Sequence, residues 1–181
     1  MNLKMMTSAL LIAGLAAPSA FAETGTITFN GKITDVTCSV DGNDTGTPNF
    51  AVDLGAVSAG DFKNVGDNVG QTGFKLKIGG EASCANGTKV WAAFDADGAT
   101  VDPATGLVRV TGGSAKGVNI RLFDENGVKV NAWANDNPVK KVVEDNVAMI
   151  YHAASFERVG AITAGDATGQ VKYTINYEAA P

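Results

Sequence analysis

Side chains that carry chemistry are scarce in this chain. Its 181 residues include one histidine, His152, and two cysteines, Cys38 and Cys84. There is no Cys-x-x-Cys pair and no histidine cluster, which removes the common zinc and redox frameworks. No phosphate-cradling glycine loop and no nucleophile elbow occurs. His152 follows Tyr151 in an alternating segment, and spacing pairs it with no particular serine or aspartate, so it reads as an ordinary strand residue. Asp95-Ala96-Asp97-Gly98 has the opening of a calcium loop but lacks the third acidic position and the closing glutamate, which makes it a solvated turn. Asp53, Asp61, Asp67, Glu144 and Asp145 stand singly or in pairs in turn-rich stretches, and spacing alone neither makes nor excludes an acid–base pair among them. Positive charge is also short. Fourteen Lys and Arg against nineteen Asp and Glu give a net charge of −5, which argues against nucleic acid or an anionic membrane as partner.

Long apolar runs are missing except at the start. Lys4 precedes an apolar core from Ala9 to Ala17, and Ala20-Phe21-Ala22 offers small residues where a signal peptidase reads. Residues 1–22 are expected to be a secretory signal peptide, too short for a membrane span. Cleavage leaves residues 23–181, enough for one domain with a sizeable core. In an oxidising compartment Cys38 and Cys84 are expected to pair, and closing a loop of that length contributes about 4 kcal/mol in the chain-entropy model.

Helical periodicity is nearly absent, and 22 glycines argue further against a helical protein. Alternation is plentiful. Over residues 24–34, Gly25, Ile27, Phe29, Gly31 and Ile33 share one face and polar residues the other. The phase then slips by one, so that Val36, Cys38 and Val40 share the apolar parity, which marks a boundary between two strands. Further strands are predicted over 50–54, 74–78, 89–94, 107–110, 118–123, 128–130, 147–156 and 170–177, with at most one helical turn within 64–71. Turn residues separate them: 41–46, Gly79-Gly80, Asp97-Gly98, Gly112-Gly113 and Asn126-Gly127, the last with Asp124-Glu125 forming the clearest hairpin signal. No repeat, low-complexity tract or linker suggests a second domain. Regular short strands and a disulfide predict an all-β, immunoglobulin-like sandwich. Trp91 and Trp133 fit its core better than a sugar-stacking surface.

The two ends carry the most pattern. In the last strand Val171, Tyr173, Ile175 and Tyr177 face one way; Gln170, Lys172, Thr174, Asn176 and Glu178 face the other. The first mature segment, with the same alternation, begins within two residues of the new N-terminus. It is either the first strand of its own sandwich or a strand given to a neighbour.

Here the sequence resembles a family: the major-subunit pilins of bacterial chaperone–usher fimbriae, type 1-like group. The resemblance runs over nearly the whole mature chain. It rests on Thr28-Phe29-Asn30-Gly31-Lys32-Ile33-Thr34-Asp35-Val36-Thr37-Cys38, on Phe74-Lys75-Leu76-Lys77-Ile78 before Cys84, and on Gly117-Val118-Asn119-Ile120-Arg121-Leu122-Phe123-Asp124 with Asn126-Gly127. Tyr151-His152-Ala153-Ala154-Ser155-Phe156, Gly165 and Tyr177 complete the set. Tyr177 is followed by Glu178, Ala179, Ala180 and Pro181, three residues beyond the family's usual end. Only six residues, Glu23 to Thr28, precede Phe29, a short donor arm for the family.

The resemblance implies an incomplete immunoglobulin-like β-sandwich completed by a strand donated from a neighbouring subunit. Residues 23–33 would be the donor arm, inserting Gly25, Ile27 and Phe29, and residues 34–181 the sandwich body. Gly165, Val171, Tyr173, Ile175 and Tyr177 would form the acceptor groove and the chaperone or subunit interface. The implied partners are identical or related pilin subunits, a periplasmic pilus chaperone and an outer-membrane usher. No cofactor, metal, nucleic acid or direct membrane insertion is implied. The expected product is a non-enzymatic rod subunit on the bacterial surface that supports adhesion, reached through the periplasm. A self-contained carbohydrate-binding sandwich and a minor adaptor pilin are the alternatives.

Overall fold

The structure, a computed structural model, describes residues 38–179. The expected leader, the donor arm with Gly25, Ile27 and Phe29, and most of the phase slip lie outside the described residues. Ten strands follow: β1 (Val40–Gly42), β2 (Asn68–Gly79), β3 (Lys89–Phe94), β4 (Val110–Gly112), β5 (Lys116–Asp124), β6 (Lys129–Val130), β7 (Lys141–Val142), β8 (Val147–Thr163), β9 (Thr168–Gly169) and β10 (Tyr173–Glu178). A single 3₁₀ turn, Ala59–Asp61, is the only helical element among the described residues. One antiparallel sheet has the order β1-β2-β8-β5-β6, a second β10-β3-β7, and a small third pairs β4 with β9.

Period-two burial builds the sandwich. Leu76 and Ile78 of β2 sit opposite Ile150 and Ala148 of β8, and all four are buried. From the other sheet Val90 and Ala92 of β3 enter the same cluster, with Cys38, Cys84 and Val143. Each fully buried aliphatic side chain there contributes about 1.5–3 kcal/mol. A second cluster joins Phe94 to Leu122 and Ala154, again linking the two sheets, with Val101, Val108 and Ala132. The disulfide Cys38–Cys84, 46 residues apart in sequence, ties the entry to β1 to the β2–β3 connection. Gly79 makes room for it: a Cβ there would lie 2.6 Å from the Cys84 Sγ and 2.3 Å from the Asn146 carbonyl oxygen, at a φ of 90°.

Several elements differ from the sequence expectation. Residues 50–54 form no ladder. Phe50 instead turns its ring onto the core while Leu54 packs between two clusters. No helical turn forms within 64–71. The Asp67 carboxylate accepts the Lys63 and Asn64 amides at 2.6 and 2.7 Å, which closes a tight turn from which β2 starts at Asn68. The one helical turn lies earlier, where the Ser58 hydroxyl accepts the Gly60 amide. The strand expected over 107–110 is displaced to β4, although Val108 bridges both Val101 and Ile120. β8 runs seven residues beyond its expected end at 156, to Thr163. The hairpin at Asp124 stands where its turn residues place it, with Asp124 Oδ1 accepting the Asn126 and Val128 amides at 2.8 Å each. Neither tryptophan is a core residue: Trp91 and Trp133 are both half-buried.

A charged cluster lies buried beside the apolar core. Arg121 on β5 grips Glu157 on β8 with Nε to Oε2 at 2.9 Å and Nη2 to Oε1 at 3.0 Å, and Lys129 Nζ reaches Oε2 at 3.1 Å. The Arg121 and Glu157 side chains keep only about a tenth of their surface exposed. Burial alone would raise the Glu157 pKa, but the hydrogen bonds from Arg121 and Lys129 prevail and hold it below the ordinary 4.5. Arg121→Met strands that carboxylate and is expected to destabilise the domain by about 3–5 kcal/mol in urea unfolding followed by tryptophan fluorescence. In the wild type this contribution is complete above the unfolded-state value near 4.5 and is lost as pH falls through the lower folded value. A denaturation series from pH 6 to pH 3 checks it: stability falls on acidification, and Arg121→Met flattens that part of the slope.

Candidate functional site

β10 is an amphipathic strand with a partner on one side only. It pairs with β3 in antiparallel register from Tyr173↔Phe94 to Glu178↔Lys89. Among the described residues no strand lies along its other edge, and β1, at the end of the five-stranded sheet, likewise pairs only with β2. In an antiparallel ladder alternate residues turn their N–H and C=O groups away from a single partner, so β10 presents backbone groups ready to bond another chain.

The side chains beside this edge are neither core nor surface. Tyr173, Ile175 and Tyr177 lie half-buried against the cluster that contains Cys38, Val90 and Ile150, next to Val40 and Phe50. Val171 and Tyr173 pack against the second cluster. Thr174, Asn176 and Glu178 hold the opposite parity. Two phenol groups connect β10 to the chain at β1. The Tyr173 hydroxyl donates to the Pro48 carbonyl at 2.6 Å, and the Tyr177 hydroxyl donates to the Cys38 carbonyl at 3.5 Å. Burial raises both tyrosine pKa values, and for Tyr177 the nearby Glu81 adds to it. Among the described residues, side chains thus join the β1 segment to β10 along a line that holds no strand ladder.

The far end of β10 is clamped. Glu178 accepts Lys89 Nζ at 3.0 Å and Lys140 Nζ at 2.5 Å. The hydrogen bonds from Lys140, then Lys89, hold its carboxyl below the ordinary glutamate value. Lys140 Nζ also lies 4.3 Å from the centre of the Trp91 ring, so that face is already occupied by a cation and is not free to stack on a sugar.

Four of the five expected groove residues, Val171, Tyr173, Ile175 and Tyr177, therefore form one strip. Gly165 stands apart, in the turn between β8 and β9. A Cβ on it would lie 2.1 Å from the Ser114 Oγ and 2.8 Å from the Ala115 amide nitrogen, so its place requires a side chain no larger than hydrogen. Sequence reasoning missed Val40 and Phe50 as groove neighbours and Lys89 and Lys140 as the clamp. For Phe50 the signal was its place at the head of the apolar run over 50–54, which was read as a strand.

The fold and this edge define a class: an incomplete immunoglobulin-like sandwich, open along one strand. The profile of the family described as fimbrial protein matches residues 27–178. The F17 fimbrial protein of Escherichia coli is 33% identical, with 93% of this chain and 95% of that protein aligned. The major fimbrial subunit SMF-1 of Stenotrophomonas maltophilia is 34% identical, over 90% and 98% of the two chains. In fold the chain is similar to the P pilus rod subunit PapA, with a TM-score of 0.59 at 14% identity over 78% of this chain and 99% of that one. The chain belongs to the fimbrial protein family, as a structural pilin subunit of a chaperone–usher fimbria. Its relatives are structural subunits of surface pili rather than enzymes, and pilus subunits assemble with one another.

The two tyrosine bridges differ enough in length to be told apart. Tyr173→Phe removes the 2.6 Å bond and is expected to lower unfolding stability by about 1 kcal/mol. Tyr177→Phe, which removes only a 3.5 Å contact, is expected to stay within about 0.5 kcal/mol of wild type by the same urea measurement.

Proposed function

We propose that this subunit polymerises by donor-strand exchange into the rod of its fimbria. The observation that carries this reading is the half-buried apolar row of β10 beside an edge that has no ladder partner among the described residues. Such an edge is an aggregation hazard for a free domain, and one added strand removes the hazard. Residues 23–33 supply that strand to the next subunit, with Gly25, Ile27 and Phe29 entering the groove and glycine placed where the two backbones come close. Val171, Tyr173, Ile175 and Tyr177 receive it. Gly165 serves the groove indirectly, by shaping the return of the chain from β8 toward β10.

Burying Ile27 and Phe29 contributes about 3–6 kcal/mol per junction before any backbone bonds form. Donor and acceptor are different surfaces of the same chain, so the contact is heterologous and grows an open filament. Residues 1–22 direct export and are removed. A periplasmic chaperone covers the groove first, and at the outer-membrane usher the arm of the next subunit replaces it. The finished rod lies outside the cell and supports adhesion.

Removing the arm tests this. The mature chain from Glu23 is expected to give a ladder of heat-labile multimers on unboiled gels. A chain starting at Asn30 is expected to give none while keeping its disulfide. Monomers from both would show that the first strand pairs within its own domain, and the reading would be abandoned.

A further inference from the structure

The single histidine of the chain is one link in a row of aromatic side chains that leads to a groove residue. The His152 imidazole lies 5.6 Å from the Phe74 ring and 5.6 Å from the Phe94 ring. Phe74 lies 5.6 Å from Phe50, and Phe50 lies 6.3 Å from Tyr173. Tyr173 is also the register partner of Phe94 in the β3–β10 ladder and packs against the cluster that contains it. The row thus takes members from β8, β2, the 43–58 connection, β10 and β3, and Tyr173 is its member on β10.

The surroundings of His152 favour the neutral imidazole. Its Nδ1 meets the Phe123 carbonyl at 3.1 Å. Its Nε2 is buried and has no hydrogen-bond partner among the described residues. A cavity of about 30 Å³ adjoins it, lined also by Phe94, Asp124, Asn135 and Asp136. A proton on Nε2 would create a buried donor without an acceptor, as well as a charge among phenyl rings. Burial accordingly lowers the imidazole pKa below its ordinary 6.5, against the Phe123 hydrogen bond and the carboxylates of Asp124 and Glu125. The other charged groups nearby are Asp136 from the 131–140 connection and Lys75 from β2, the latter paired with Asp44 at 2.7 Å. From β3 it is the apolar Phe94 that meets the imidazole.

We propose that His152 is a proton-sensitive keystone: its protonation disrupts the aromatic row that runs through Phe74 and Phe50 to Tyr173 and loosens the strand-accepting edge of β10. This rests on the reading of β10 as the acceptor. The sign follows from the burial. A histidine whose folded value is depressed stabilises the fold fully above its unfolded value, and that stability is lost as pH falls below 6.5 toward the folded value. Junctions between subunits are therefore firm at neutral pH and weaken in mild acid, where most carboxylates are still ionised.

Because the chain has one histidine, its Cε1–H proton resonance is unambiguous. In the mature chain that resonance is expected to titrate with a midpoint below 6.5, and amide exchange along β10 is expected to accelerate with the same midpoint. Multimers of the mature chain are expected to dissociate about tenfold faster at pH 5 than at pH 7.5, and those of His152→Gln at rates within about twofold of each other. A midpoint at or above 6.5, β10 exchange that ignores the histidine, or an unchanged pH ratio in His152→Gln would overturn the proposal. If no multimers form at any pH, it is donor-strand exchange that fails, and the resonance and exchange data alone decide whether His152 controls β10.

Discussion

Among the described residues β10 buries one face and has a ladder along one edge only. A strand in that position gains apolar burial from Tyr173, Ile175 and Tyr177 but only one ladder of backbone bonds, along β3. Most features around it compensate for the missing ladder. The tyrosine hydroxyls bond carbonyls at Pro48 and Cys38, and two lysines pin Glu178. These are side-chain contacts, each individually weak. On the donor-strand reading proposed above, an incoming strand replaces them without unfolding β10.

The rest of the domain is built to tolerate this gap. Net folding stability is a small difference between large terms, so a sandwich without one strand has little to spare. The disulfide anchors Cys38, whose carbonyl faces Tyr177, directly to the β2–β3 connection. The Arg121–Glu157–Lys129 cluster joins β5, β6 and β8 away from the edge. A buried ion cluster adds little against a well-packed apolar substitute, but it is demanding of geometry. Here it holds one register between β5 and β8. The aromatic row works in the opposite sense. It links the middle of the five-stranded sheet to β10, and on the proposal above it carries a charge placed on His152 to that strand.

Much of the fold was legible in the sequence because burial in a sandwich follows a period of two. Leu76 with Ile78, Val90 with Ala92, and the strip Val171, Tyr173, Ile175 and Tyr177 could all be placed on an inner face from alternation alone. Asp124 to Gly127 announced its hairpin through turn chemistry. Errors arose where a local pattern was ambiguous. Residues 50–54 have strand-like composition but no neighbouring strand to pair with. The carboxylate of Asp67 converts a helix-compatible stretch into a turn. β8 continues past 156 because β5 and the start of β2 extend beside it, and no residue within the segment signals that.

By itself, then, the sequence determined the class of fold, the cysteine pair and the apolar strip at the C-terminal end, since each depends on residue type and spacing along one chain. Only the tertiary structure decided which edge stays open, because strand order is a property of pairing and not of any strand. It also decided that Phe50 and Val40 neighbour the strip, that Lys140 covers Trp91, and that Arg121 meets Glu157. Above all it moved His152 from an ordinary strand position into a row of aromatic side chains. The other members come from four segments distant in sequence, and the desolvation that lowers its pKa exists only once the chain has folded.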